Sequence, residues 1–178
     1  MTDEYRRLIL KCASLKITPT NEALIVSIAE QKMVFWRDGQ VAGSFPISSG
    51  RRPPSCIVDS LGTPTGLHNV ADRLGDGEPL GTVFRGRVSL GRTYDQMGPE
   101  EQQKNLITTR ILRLRGLEAG HNAGPGCDTY DRMIYIHGTN HEERIGQPSS
   151  AGCIEMVNEE ILDLFNRIPE GSLVLIEE

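Results

Sequence analysis

From Ala23 the chain reads ALIVSIAEQKMVFWRDGQVAGSFPISSG, short apolar stretches interrupted by polar and turn-forming residues, which is the spacing of strands. Leu24–Ile28 predicts a first strand. Asp38-Gly39 is a tight-turn signal and predicts a hairpin joining Met33–Arg37 to Gln40–Ile47. Further along, Gly81–Leu90 predicts a strand with Gly86 as a bulge, and LITTRILRLRGL, Leu106–Leu117, alternates imperfectly as a strand, with helix as the alternative. MIYIH, Met133–His137, predicts a short strand ended by Gly138, and Ser172–Ile176 a last one. Helical spacing governs one segment only: Ile161, Leu162, Leu164, Phe165 and Ile168 form an apolar face on an expected helix Glu159–Arg167. Asn158 is its expected N-cap, Glu159 and Glu160 suit its first turn, and Pro169 and Gly171 stop it. Between these elements Ser48–Gly66, Gly91–Lys104 and Gly116–Asp131 are too rich in Gly, Pro and small polar residues for long regular structure. The pattern predicts a mainly β domain over 22–178, preceded by an arm over 1–21.

Composition narrows the class of protein. A chain of 178 residues matches one domain, and surface scaling gives about 8,600 Å² exposed when folded against about 28,600 Å² unfolded, enough burial without metals or cross-links. The hydrophobic fraction of 38%, the charged fraction of 24% and a mean hydropathy of -0.32 exclude a membrane bundle and a disordered chain. One Trp, four Tyr, four Phe and a net charge of -5 argue against a broad nucleic-acid surface. Cys12, Cys56, Cys127 and Cys153 form no CxxC pair, so zinc-ribbon and thioredoxin-like readings fail. Cys56 has Arg51 and Arg52 as sequence neighbours, cations that favour a thiolate where they approach it; otherwise it is an incidental thiol. The first residues, MTDEYRRLILKCASLKITP, do not read as a secretory signal, and no apolar stretch is long enough for a membrane span.

The stretch with most chemical content is IYIHGTNHEERIGQPSSAGCIEM, Ile134–Met156. It places His137 at a strand end and Cys153 at the junction before the helix. An imidazole that removes a thiol proton lets the thiolate attack an amide carbonyl, and the resulting thioester carries the acyl group to an acceptor. Two other readings share these residues: separate structural roles, and a metal site with His141, four positions after His137. Gly138 and Asn140 favour a turn there, which does not put both histidines on one helix face. His68 and His121 read as loop or cleft residues.

HGT at His137, followed by SxGCI at Ser150, Gly152, Cys153 and Ile154, resembles the L,D-transpeptidase catalytic domain, the YkuD family. The resemblance extends through Met156, Asn158 and the leucine-rich helix to the final strand. TPxG at Thr63, Pro64 and Gly66 is also similar to the family. It implies a β-sandwich-like catalytic domain with a short helix after the nucleophile. It also implies an acyltransferase that cuts a peptidoglycan stem peptide before its terminal D-Ala and passes the acyl group to an amine acceptor. Cys153 would be the nucleophile and His137 the base, with a backbone carbonyl of Gly138 or its turn orienting the imidazole. N–H groups near Gly152 and Cys153 are the expected oxyanion hole. Thr139, Asn140, Ser149, Ser150 and Glu155 are the expected substrate contacts; Ser150 has the alternative of holding the turn. No metal, cofactor or nucleic-acid partner is implied.

Two positions depart from the family pattern. A basic residue often follows CI where this chain has Glu155, and His often precedes the GC pair where it has Ala151. A negative charge beside Cys153 would oppose thiolate formation or alter substrate choice, unless Glu155 simply points to the surface. The alternatives are hydrolysis by an L,D-carboxypeptidase or amidase, a noncatalytic peptidoglycan-binding protein, and a general cysteine peptidase. The resemblance implies the periplasm or cell envelope, and the N-terminal sequence by itself the cytoplasm.

Overall fold

The computed structural model describes residues 2–178. A helix α1 (Asp3–Leu15) leads into β1 (Glu22–Ser27), β2 (Lys32–Arg37), β3 (Gln40–Pro46) and β4 (Gly66–Leu74), then β5 (Thr82–Arg85) and β6 (Val88–Thr93). A short helix α2 (Pro99–Gln102) precedes β7 (Ile107–Gly116), β8 (Tyr135–Thr139), β9 (Ile154–Met156), α3 (Asn158–Arg167) and β10 (Leu173–Glu177). The strands join one sheet in the order β3-β2-β1-β10-β4-β7-β5-β6, with β8 paired to β7 and β9 to β8. The expected mainly β architecture with a helix after Cys153 is present.

The central strands are apolar on both faces, so each face needs its own cover. In β1, Leu24 and Val26 face the larger core, where they meet Met33, Phe35, Leu112, Leu114, Ile136, Ile154 and the helix residues Ile161, Leu164 and Phe165. Ala23 and Ile25 face the other way, onto Val34, Trp36, Leu67, Leu173 and Leu175, beneath Leu8 and Cys12 of α1. The expected N-terminal arm is therefore a helix that completes the fold; residue 1 lies outside the described residues. Tyr5, Leu8, Cys12 and Leu15 recur at helical spacing and all join this second core. Reading Leu8–Leu10 as one apolar patch conceals that stripe. Arg7–Glu177 at 2.8 Å and Lys11–Glu118 at 3.0 Å tie its polar flank down.

Two other expectations change, and one open alternative is settled as a strand. Gly81–Leu90 is a hairpin, because Gly86 and Arg87 both adopt positive φ (55° and 69°) and turn β5 back into β6. Leu106–Leu117 is the strand β7, whose pairing with β8 is irregular between Thr108 and Ile111, where Thr109 takes φ 68°. Asn158 is the first residue of α3 instead of its cap. The Glu142 carboxylate accepts its backbone N–H at 2.7 Å, while the Asn158 side chain donates to the Thr139 carbonyl and accepts from Thr108 Oγ1. Capping is thus supplied by a carboxylate remote in sequence, which suits the helix dipole.

His68 is a core residue of β4, not a loop or cleft residue. It is fully buried, with Nδ1 3.0 Å from the Gly66 carbonyl and Nε2 3.1 Å from Thr129 Oγ1. Burial pushes its pKa down from 6.5 to about 4. A histidine held neutral stabilises the fold above its unfolded pKa, and that contribution is lost as pH falls from 6.5 toward 4. His68→Gln should shrink the drop in unfolding free energy between about pH 7 and pH 5 by about 2 kcal/mol, read by urea titration at both values. An unchanged drop would contradict the burial account.

Candidate active site

The parallel pairing of β8 with β9 sets Ile136 against Ile154, His137 against Glu155 and Gly138 against Met156. Alternation along each strand puts His137 and Glu155 on the same face, and Cys153, just before β9, packs on that face against Tyr135 and against Ile111, the β7 partner of His137. His137 is buried, and its Nδ1 lies 2.7 Å from the Gly138 carbonyl. That contact places the proton on Nδ1, which donates, and leaves Nε2 as the basic nitrogen. Gly138 has no room for a side chain: a Cβ there would stand 2.5 Å from Asn158 Oδ1 and 2.8 Å from the Thr108 carbonyl.

Cys153 is half-buried. Its Sγ accepts the Tyr135 N–H at 3.3 Å and lies 3.6 Å from the Met133 carbonyl, so at rest the thiol is engaged with β8 backbone. Burial, then the Glu155 charge, pushes the thiol up to about 12, against the Tyr135 N–H and the Arg132 guanidinium, which pull it down. Burial also lowers the His137 pKa, offset by Glu155 and by the Gly138 carbonyl. Both shifts favour the neutral forms, thiol and imidazole.

The turn before Cys153 is held from inside. Ser150 Oγ accepts the Gly152 N–H at 3.1 Å and donates to the Cys153 carbonyl at 2.5 Å. Thr63 of the TPxG stretch donates to the Gly152 carbonyl at 3.0 Å and accepts the Gly50 N–H at 2.8 Å. Gly152 sits at φ 123°, a conformation that favours glycine. Its N–H is committed to Ser150, so the expected oxyanion hole loses that donor in this state. Cys153 N–H has no backbone acceptor among the described residues and is the better candidate.

The residues expected to touch substrate make these contacts within the protein. Thr139 is fully buried and its Oγ1 meets Asn105 Oδ1 and the His141 N–H. Asn140 accepts the Leu106 N–H and donates to the carbonyls of Gln102 and Lys104, pinning the chain that enters β7. Ser149 Oγ donates to Glu155 Oε2 at 2.7 Å. Ser150 borders a cleft, but its hydroxyl is spent on the turn. Glu155 is 2% exposed, and Asn105 Nδ2 donates to its other oxygen; the surface reading fails. His141 Nδ1 lies 3.1 Å from Glu143 Oε1. Cys56 Sγ has His121 Nε2 at 3.6 Å and the Thr65 carbonyl at 3.7 Å as neighbours.

Further residues shape the site without having been expected in it. Arg132, just before β8, donates to the carbonyls of Ser55 and Gly62 and to Ser60 Oγ, stapling the Ser48–Gly66 loop beside Cys153. Asn105 links Thr139 to Glu155. Arg51 and Arg52, with Leu61 and Ser150, line a cleft of about 400 Å³, while Asp59, Asp131 and Arg132 rim a second cleft against Met133 and Ala151. None of these belongs to a local motif.

Residues 21–176 match the family model for the L,D-transpeptidase catalytic domain. A putative L,D-transpeptidase YqjB of Bacillus subtilis is 36% identical over 102 residues, 51% of this chain and 57% of that protein. A probable L,D-transpeptidase ErfK/SrfK of Salmonella typhimurium is 26% identical over 87% of this chain and 44% of that one. The chain thus spans about half the length of these relatives. Among solved structures, L,D-transpeptidase 3 from Mycobacterium tuberculosis, in complex with a faropenem-derived adduct, superposes with a TM-score of 0.57 at 15% identity. That superposition covers 89% of this chain and 60% of the other, and at such identity it speaks to the fold. With the model match running from β1 to β10, the chain belongs to the YkuD family of L,D-transpeptidase catalytic domains.

Proposed function

We propose that this domain transfers a peptidoglycan stem peptide to an amine acceptor through a thioester on Cys153. The observation that carries the reading is the pairing of β8 with β9, which puts His137, its Nδ1 satisfied by Gly138, on one face with Cys153. His137 Nε2 takes the thiol proton as sulfur attacks the donor carbonyl, then gives it to the departing D-amino acid nitrogen. In the second half the acceptor amine attacks the thioester, its proton passes to Nε2, the carbon–sulfur bond breaks, and Nε2 returns the proton to the departing sulfur to restore the thiol. Water in place of the amine gives hydrolysis, so occupancy of the acceptor cleft decides the outcome. Family membership supports the cell envelope as the place of action. No helix among the described residues is long and apolar enough to cross a membrane.

The two clefts flanking the 150–152 turn suit the two substrates. Arg51 and Arg52 complement the carboxylates of a donor stem, and Asp59 with Asp131 complements an ammonium-bearing acceptor.

Intact-protein mass spectrometry after exposure to a donor stem peptide or a carbapenem should show a covalent adduct that Cys153→Ala lacks; labelling confined to Cys56 would sink the assignment. His137→Ala should lower kcat/KM by about 10²- to 10⁴-fold with the fold retained, and His141→Ala should do far less. A separate outcome concerns the clefts. Arg51→Ala with Arg52→Ala should raise the donor KM about tenfold while sparing the acceptor KM, and Asp59→Asn with Asp131→Asn should do the reverse. Equal effects on both substrates would remove the division of labour.

A further inference from the structure

Glu155 occupies the position where the family pattern carries a basic residue, and its setting is unusual for a carboxylate. It is almost fully buried, and its oxygens accept from two neutral donors, Ser149 Oγ and Asn105 Nδ2. No lysine or arginine forms a salt bridge with it among the described residues. A buried carboxylate without a cation is costly, and a cation that forms beside it would offset that cost. The side chain in register with it is His137, across the parallel β8–β9 pair, and His137 becomes a cation each time it holds the proton in transit.

We infer that Glu155 is a positioning residue for catalysis, the fixed anion that stabilises the His137 imidazolium formed during both halves of acyl transfer. This rests on the Cys153–His137 reading above. Ser149 and Asn105 hold the carboxylate so that it need not reorganise when the imidazolium forms, and Asn105 also bonds Thr139 at the end of β8. The cost falls on the nucleophile, since the same charge opposes the Cys153 thiolate. Arg132 works against that cost, its guanidinium favouring the thiolate from the other side. On β7 the residue paired with His137 is the apolar Ile111; the titratable groups on the same face are Glu155, Cys153 and, two residues back on β8, Tyr135, of which Glu155 supplies the charge that acts on the imidazole. Direct recognition of substrate by Glu155, the role its charge suggested, has no open face to act through.

The sign of the effect makes the inference testable. Removing an anion makes both neighbours less basic, so Glu155→Gln should move the acidic limb of kcat/KM, set by His137, and the alkaline limb, set by Cys153, both toward lower pH by about one unit. A merely structural loosening would lower the rate and leave both limbs in place. NMR titration of His137 reads the same shift without any substrate, so it stands even if the assigned donor is wrong. Glu155→Asp keeps the charge one methylene further back and should fall between wild type and Glu155→Gln; it supplies the comparison with wild type should the glutamine variant not fold. An unmoved His137 titration, or a changed ratio of rates among donors differing in charge, would overturn the inference.

Discussion

Three residues of parallel strand pairing, Ile136–Gly138 against Ile154–Met156, are the constraint on which the rest of this site depends. They are short, yet buried apolar packing on one face fixes them: Ile136, Ile154 and Met156 lie in the main core with Ile161 and Phe165 of α3. A slip of one residue would send His137 and Glu155 into that core and the isoleucines into the cleft. Hydrophobic burial therefore sets the register, and the register sets the chemistry. Asn158 ties the start of α3 to β7 and β8 through Thr108 and Thr139, so the helix is anchored to the bulged strand and to the strand that carries His137.

The electrostatics of the site follow from that packing. The pair is set in apolar surroundings, with Cys153 against Phe84, Ile111 and Tyr135, and low polarity disfavours both charged forms. In the proposed cycle this disfavours a resting thiolate, and with it indiscriminate reaction and oxidation. On the same proposal the opposing charges, Glu155 near the imidazole and Arg132 near the sulfur, stabilise the charge-separated state once substrate brings the proton transfer about. The chain that lacks a basic residue after CI still has a cation beside its nucleophile, delivered from the end of the preceding loop.

How much of this was legible in the sequence depended on the range of the interactions. Elements whose period is local, such as the Asp38-Gly39 hairpin, β7 and α3, emerged from the pattern, and HGT with SxGCI pointed to Cys153 and His137. β4 was missed because GLHNVADRL mixes His, Asn, Asp and Arg with its apolar residues, and only the pairing with β10 and β7 makes it a strand. Glu155 was read as a surface or substrate-facing charge because nothing local reveals that Ser149 and Asn105 will enclose it. Thr139, Asn140 and Ser150 sit beside the catalytic pair in sequence, and adjacency suggested contact with substrate. The Asn140 amide is taken up by backbone of residues 102–106, Thr139 Oγ1 by the Asn105 side chain and the His141 N–H, and the Ser150 hydroxyl by its own turn, pairings that only the folded chain reveals.

We propose that Cys153 is a neutral thiol at rest and that His137 deprotonates it only in the act of attack. The most direct measurement is the pH dependence of Cys153 alkylation by iodoacetamide, followed by peptide mass spectrometry so that Cys12, Cys56 and Cys127 are scored separately. The account predicts slow alkylation near neutral pH that keeps rising well into the alkaline range, toward the elevated value of about 12. A rate already at its plateau near neutral pH, and lost in His137→Ala, would show a preformed thiolate–imidazolium pair and contradict it.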